Sequence, residues 1–103
     1  TWPKVVRGRQ ALAAEVAGTP DPDRLIELLA DRTVPPDREL PKRGRPLELE
    51  RRVASCFIAG DDYGTRASTA VVIGRRRVTF VEQEYFARGR PGGRATFEFD
   101  IET

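Results

Sequence analysis

The chain has 103 residues, with 18 Lys and Arg against 16 Asp and Glu, one Cys, no His and no Met. This length allows one domain with a modest core, and the absence of imidazole excludes Ser/His/Asp or Cys/His catalysis and His-ligated metal sites within it. The mixed charge gives little support to nucleic-acid binding, and no apolar run is long enough to span a membrane.

The first third of the chain predicts two short helices. From residue 4 to residue 16, Val5, Leu12 and Val16 lie on one side of a helical period, and a Gly and a Pro shortly afterwards end the pattern. Asp21 then offers a side-chain N-cap and Pro22 a first helical residue. The apolar stripe of this second helix consists of Leu25, Leu28 and Leu29, with Ile26 beside it.

Residues 33–46 contain four prolines and predict a long connecting loop, because proline removes backbone donors that helices and central strands need. The pattern then changes to strands, predicted over residues 53–59, 68–73, 78–86 and 95–101. Turns at 74–77 and 88–93 separate the last three as sequential antiparallel neighbours. Helices followed by a strand meander define an α+β class.

The strand faces indicate that part of the structure lies outside this chain. Ala70–Ile73 and Ser55–Ile58 are apolar or small at successive positions, which predicts a sheet covered on both faces. In contrast, residues 95–101 alternate strictly, as in a half-solvated edge strand. Two short helices cover only one face, so we expect residues 1–103 to be one incomplete domain whose preceding half supplies a second sheet.

The densest candidate site is the turn at residues 60–69. Arg66 beside hydroxyl groups is suited to bidentate binding of a carboxylate, a phosphate or a propionate. The predicted ligand-binding set is therefore Arg66, Tyr63, Thr65, Ser68 and Thr69. The alternative is structural: Arg66 pairs with Asp61 or Asp62 and the hydroxyls satisfy strand ends.

Three other features favour structural interpretations. Asp61 and Asp62 lack further oxygen ligands at loop spacing, so we expect solvated turn residues and no metal site. Cys56 leaves no internal disulfide, which suits a reducing, cytoplasmic compartment, and we expect its thiol to be buried and inert. Residues 75–77, three consecutive arginines, are typical of a solvated hairpin tip.

Thr1 is a further catalytic candidate, because an N-terminal threonine can serve as nucleophile while its own amine acts as base. Such a nucleophile opens a central strand, whereas Trp2, Pro3 and a helical pattern follow here. We therefore expect Thr1 to mark a processed or engineered end. The absence of any Met supports that expectation, since the chain cannot contain its own start codon.

The sequence resembles the C-terminal half of the NRDE family, which includes the transport and Golgi organisation 2 proteins. The resemblance covers essentially the whole chain. Its most specific part is Tyr-Gly-Thr-Arg at residues 63–66, followed one strand later by Val-Thr-Phe-Val-Glu at residues 78–82. Ala67 stands where relatives often have Cys, which argues against a thiol ligand in this turn.

The resemblance implies an αββα sandwich similar to that of N-terminal-nucleophile hydrolases, with the family's N-terminal Cys and Asn-Arg-Asp-Glu motif in the preceding half. Members of the family are linked to haem trafficking and lipid metabolism. The favoured function is binding or trafficking of an apolar anionic ligand such as haem or an acyl lipid. The alternatives are an amide hydrolase whose nucleophile lies in the other half, and a scaffold without chemistry, since the fold cannot choose among them.

Overall fold

The computed structural model describes residues 2–102 and contains helices followed by an antiparallel sheet, which confirms the α+β class. The helices are α1, Pro3–Val16; α2, Pro22–Leu29; and α3, Leu47–Arg52. The strands are β1, Ala67–Ile73; β2, Arg77–Phe86; and β3, Arg90–Asp100. Single 3-10 turns lie at Asp37–Glu39 and Ala87–Gly89. No helix within residues 2–102 has the length and apolar character needed to cross a bilayer.

The helix α2 begins as its sequence predicts, but the side chain that it buries is Ile26, and the predicted stripe of Leu25, Leu28 and Leu29 is only half-buried. The Asp21 carboxylate accepts a hydrogen bond from the Asp23 amide at 2.9 Å, and Pro22 occupies the first turn. Its central contact is Ile26, which is fully buried against Ala70 of β1 and Val81 of β2, with Leu25 beside them. This small cluster joins the helical part to one face of the sheet.

The helix α1 has the predicted bounds, but its predicted apolar stripe is not buried. Val5, Leu12 and Val16 are all exposed, and no residue described in α1 is buried. Polar contacts hold its first turns instead: Arg7 Nε lies 2.9 Å from Asp31 Oδ2, and Lys4 Nζ donates to the Val53 carbonyl at 3.0 Å.

The predicted strand over residues 53–59 does not form, and this prediction was wrong. Residues 53–58 follow α3 as a turn and bends, and only Ala59 forms an isolated bridge, with Gly64. The backbone of this segment finds other hydrogen-bond partners. The Phe57 amide donates to the Asp31 carbonyl at 2.8 Å, and Ser55 Oγ donates to the Phe57 carbonyl at 2.6 Å. An apolar run can therefore fill a core as irregular chain when side chains and distant carbonyls replace the ladder.

The last three strands form the predicted meander in the order β1-β2-β3, so β3 lies at an edge as expected. However, β3 begins at Arg90, five residues before the predicted start at Ala95. Only residues 87–89 form the turn, where Arg88 and Gly89 both adopt positive φ, 62° and 69°. A Cβ on Gly89 would lie 2.8 Å from the Phe57 ring, which explains glycine at this position.

The sheet is covered on one face only, by α2. The strand register aligns Val71 with Phe80 and Phe97, and Ile73 with Val78 and Phe99, along the opposite face. On this open face Ile73 is 72% exposed and Phe97 58%. The apolar side of β3 thus points away from the helices, and Thr96 and Glu98 lie on the helix side. The described residues supply no cover for the second face predicted at Ala70–Ile73.

We expect the open face to drive self-association of the 103-residue chain. Replacing Phe97 and Phe99 together with Thr removes exposed aromatic area while keeping strand propensity. The double variant should sediment with a larger monomer fraction and bind several-fold less of an apolar fluorescent dye. Thr96→Ala on the other side of β3 is the matched control. A wild-type chain that is a monodisperse monomer with a cooperative thermal transition contradicts this prediction.

Candidate functional site

A pocket of about 680 Å³ lies at the end of the molecule formed by α1, the proline-rich loop, α3 and residues 53–63. Its volume is within the range of small-molecule sites. No lining residue comes from the sheet. Its apolar wall is contributed by Trp2, Val34, Leu49, Val53, Phe57, Ile58, Ala59 and Tyr63.

The polar wall of this pocket is strongly basic. Six cationic side chains line it, and none of the described lining residues is acidic: Lys4, Arg32, Arg43, Arg45, Arg51 and Arg52. Arg51 is neutralised by Asp37, whose Oδ1 lies 2.9 Å from Arg51 Nε. The pocket therefore joins an apolar surface to an excess of positive charge.

Two of the pocket arginines share one buried carboxylate. Glu50 of α3 is 3% exposed, and its Oε1 lies 2.8 Å from Arg43 Nη2 and 2.6 Å from Arg45 Nη2. Hydrogen bonding by Arg43, opposed by burial and reinforced by Arg45, lowers the pKa of Glu50 to about 2. The three side chains together carry a formal charge of +1 at neutral pH.

Aromatic rings orient three of the cations. The Arg43 guanidinium lies 4.2 Å from the centroid of the Trp2 ring, with Lys4 Nζ at 5.5 Å from the same centroid. Arg32 lies 5.0 Å from the Phe57 ring centroid. Such stacking fixes a guanidinium while leaving part of its N–H edge available. Arg52 is exposed and forms no ion pair with any residue between 2 and 102.

The sequence-predicted site residues lie in different places. Tyr63 is 64% exposed and lines the pocket. Thr65 is half-buried, and its hydroxyl accepts from the Ile58 amide at 3.1 Å. Arg66 is exposed and donates only to the neighbouring Thr65 carbonyl, at 3.4 Å, among the described contacts. The structural alternative, a pair of Arg66 with Asp61 or Asp62, does not occur among the ion pairs of residues 2–102, and Asp61 pairs with Arg88 at 2.7 Å instead.

Ser68 and Thr69 point to opposite faces of β1. Ser68 is buried on the helix-covered face, whereas Thr69 is exposed and donates to Glu82 at 3.2 Å on the open face. The structure thus brings Tyr63 to the pocket and separates it from these two hydroxyls. A ligand role for Arg66, Thr65, Ser68 and Thr69 stays a prediction.

The other candidates behave as structural groups. Cys56 is half-buried, and burial raises the pKa of its thiol, which disfavours the nucleophilic thiolate. Arg75 and Arg76 are exposed at the tip of the β1–β2 turn, as expected, while Arg77 contacts Glu98 on β3. Thr1 lies outside the described residues. Within 2–102, His, Cys, Asp and Glu side chains form no group of three or more suited to a metal.

Arg43 and Arg45 were not assigned to a site from the sequence, because the proline-rich segment that contains them predicts only a loop. A signal was available. Residues 40–47 contain Lys42, Arg43 and Arg45 and no acidic residue, and they lead into α3. That helix was missed as well, although Pro46 precedes it, acidic residues occupy its first turn and basic residues its last, the order that the helix dipole favours.

The described residues form a small α+β unit with a three-stranded antiparallel sheet and a basic pocket. The family profile of Transport and Golgi organisation 2 matches residues 1–87, and the chain belongs to that family, which is the NRDE family expected from its motifs. No curated protein and no solved structure matches the chain significantly.

We expect Arg66→Ala to change the free energy of unfolding by less than about 0.5 kcal/mol, because its exposed side chain makes only one local contact. Phe57→Ala should cost about 3–5 kcal/mol, since Phe57 is fully buried beside the pocket. Urea unfolding of both variants gives the comparison. A large loss in Arg66→Ala would reveal a buried role that this structure lacks.

The contact between α1 and Asp31 should depend on pH. Hydrogen bonds from Thr33 and then Arg7 lower the pKa of Asp31 to about 2, from an ordinary value of 3.8. A lowered carboxyl pKa stabilises the folded state above the unfolded pKa, and this contribution is lost as pH falls through the folded value. The stability difference between wild type and Asp31→Asn should therefore shrink between pH 5 and pH 2. Chemical unfolding at each pH measures it, and a constant difference contradicts the assignment.

Proposed function

We propose that this chain binds an apolar anionic ligand in the basic pocket and acts in binding or trafficking rather than in catalysis of its own. The observation that carries the proposal is the pairing of an apolar wall with six cationic side chains in one cavity. Apolar contacts contribute affinity but do not fix the orientation of a ligand, whereas guanidinium groups bind carboxylates or phosphates in a defined geometry. A ligand with an apolar body and an anionic end satisfies both walls.

Haem and acyl lipids, the two ligand classes that the family resemblance suggests, have this chemistry. The pocket offers haem cations for the propionates and apolar and aromatic side chains for the ring. An acyl lipid would use the same cations for its headgroup and the same wall for its chain. The pocket chemistry supports the shared class.

We further propose that a second apolar sheet of the same protein covers the open face, which gives the αββα sandwich of the family resemblance. Two observations support this proposal. The radius of gyration is 15.9 Å, above the roughly 13 Å typical of a compact domain of 100 residues. The buried cluster that involves the sheet consists of Ile26, Ala70 and Val81, with Leu25 against it, and residues 2–102 form no core on the other side of the sheet.

The ligand proposal is tested with two probes that share one apolar body. 1-Pyrenebutyrate is a monoanion, and 1-pyrenebutanol is its neutral counterpart. We expect the chain to bind the anion about tenfold more tightly, the size of one charge-assisted hydrogen bond. Arg52→Gln should reduce this preference and leave binding of the alcohol unchanged. Fluorescence titration measures all four affinities.

The matched control is Arg75→Gln, which removes an exposed arginine at the hairpin tip, away from the pocket. It should leave both affinities unchanged. Arg66→Gln forms a separate arm that tests the role predicted from the sequence. Equal affinities for the anion and the alcohol in the wild-type chain would refute the proposed function, because binding would then need no cation.

A further inference from the structure

The Glu50 carboxylate lies behind two arginines of the pocket wall, Arg43 and Arg45. Glu50 is not among the residues that line the pocket, whereas Arg43 and Arg45 are. Its side chain is almost completely buried, while the two arginine side chains are about one-third exposed, at 35% and 37%. The carboxylate therefore contacts the pocket only through the two guanidinium groups.

Glu50 occupies the donors that a ligand anion would use. Arg43 directs Nη2 and Nε to the two carboxylate oxygens, at 2.8 and 3.4 Å, which consumes its bidentate edge. The Arg43 amide also points to Glu50 Oε2 at 3.4 Å, and Arg45 adds Nη2 at 2.6 Å. A guanidinium has a limited number of N–H groups, so each one given to Glu50 is withdrawn from the ligand or shared with it.

We propose that Glu50 is a positioning residue that acts as an internal competitor: it holds Arg43 and Arg45 in the empty pocket and sets its affinity for anions by competing for their donors. The inference rests on the proposed function of the pocket. Ligand binding shares the two guanidinium groups between two anions, and release returns them to Glu50. A pocket that must hand its ligand on benefits from such a resident anion, because release leaves no guanidinium uncompensated.

A structural role alone predicts the opposite result on substitution. If Glu50 only orients the two arginines, Glu50→Gln weakens anion binding because the pair loses its anchor. If Glu50 competes, the same change frees donors, removes one negative charge near the ligand and strengthens anion binding. Even in a medium as polar as water, two unit charges about 4 Å apart interact with an energy worth roughly fivefold in affinity, and the lower effective dielectric constant near a protein surface increases this factor.

The experiment titrates wild type, Glu50→Gln and Glu50→Asp with 1-pyrenebutyrate and 1-pyrenebutanol. We expect Glu50→Gln to bind the butyrate fivefold to tenfold more tightly and the alcohol unchanged, and Glu50→Asp, which keeps the charge, to stay within about twofold of wild type. In an Arg43→Gln/Arg45→Gln background, Glu50→Gln should bring no gain, because no donors remain to be released. If the wild-type chain prefers the butyrate to the alcohol but Glu50→Gln binds the butyrate no more tightly than wild type, the competitor role is overturned and the proposed function stands.

A second measurement uses the wild-type chain and does not depend on how a variant folds. Carboxyl carbon resonances of glutamate report the environment and the pKa of Glu50. Because the ligand draws Arg43 and Arg45 toward itself, saturating 1-pyrenebutyrate should raise the Glu50 pKa toward its ordinary value, and 1-pyrenebutanol should not. An unchanged Glu50 resonance and pKa at saturation with the butyrate overturns the inference.

Discussion

Burial of the Phe57 ring joins the two parts of this molecule. The ring packs edge-to-face against Tyr85 of β2, at 4.7 Å between centroids, and its backbone amide bonds to the Asp31 carbonyl just after α2. Arg32 covers it from one side, and Gly89 leaves room for it on another. Phe57 also lines the pocket, so these contacts, together with the Arg88 amide that donates to the Gly60 carbonyl at 3.0 Å, position the pocket wall relative to the sheet.

The molecule divides its two kinds of surface between separate places. The sheet presents an apolar face with aromatic side chains at Phe97 and Phe99, while six cationic side chains line the pocket outside the sheet. A largely apolar face favours contact with another protein surface, and a basic pocket favours a small anion. The open face and the basic pocket are therefore suited to different binding partners.

The fold was more accessible from the sequence than the candidate site. Local signals sufficed for α2, whose N-cap and proline are read directly, and for β1 and β2, whose apolar runs are bounded by turns. The apolar residues around Phe57 wrongly predicted a strand, because hydrophobicity indicates burial and not backbone geometry. In the structure, the Phe57 amide donates to the distant Asp31 carbonyl and not to a neighbouring strand. The pocket was harder to predict, since Arg43 and Arg52 come from different segments and line one cavity only in the folded chain.

The helix α1 is weakly anchored, so it can unfold locally while the rest of the chain stays folded. This helix contributes no buried side chain, and its first turns are held by Arg7 on Asp31 and by Lys4 on the Val53 carbonyl. Its local unfolding thus exposes little apolar area and costs far less free energy than unfolding of the sheet. Lys4 of α1 and Trp2 just before it also line the pocket, whereas the Ile26 cluster lies between α2 and the sheet, so local opening of α1 alters the pocket wall without opening that cluster.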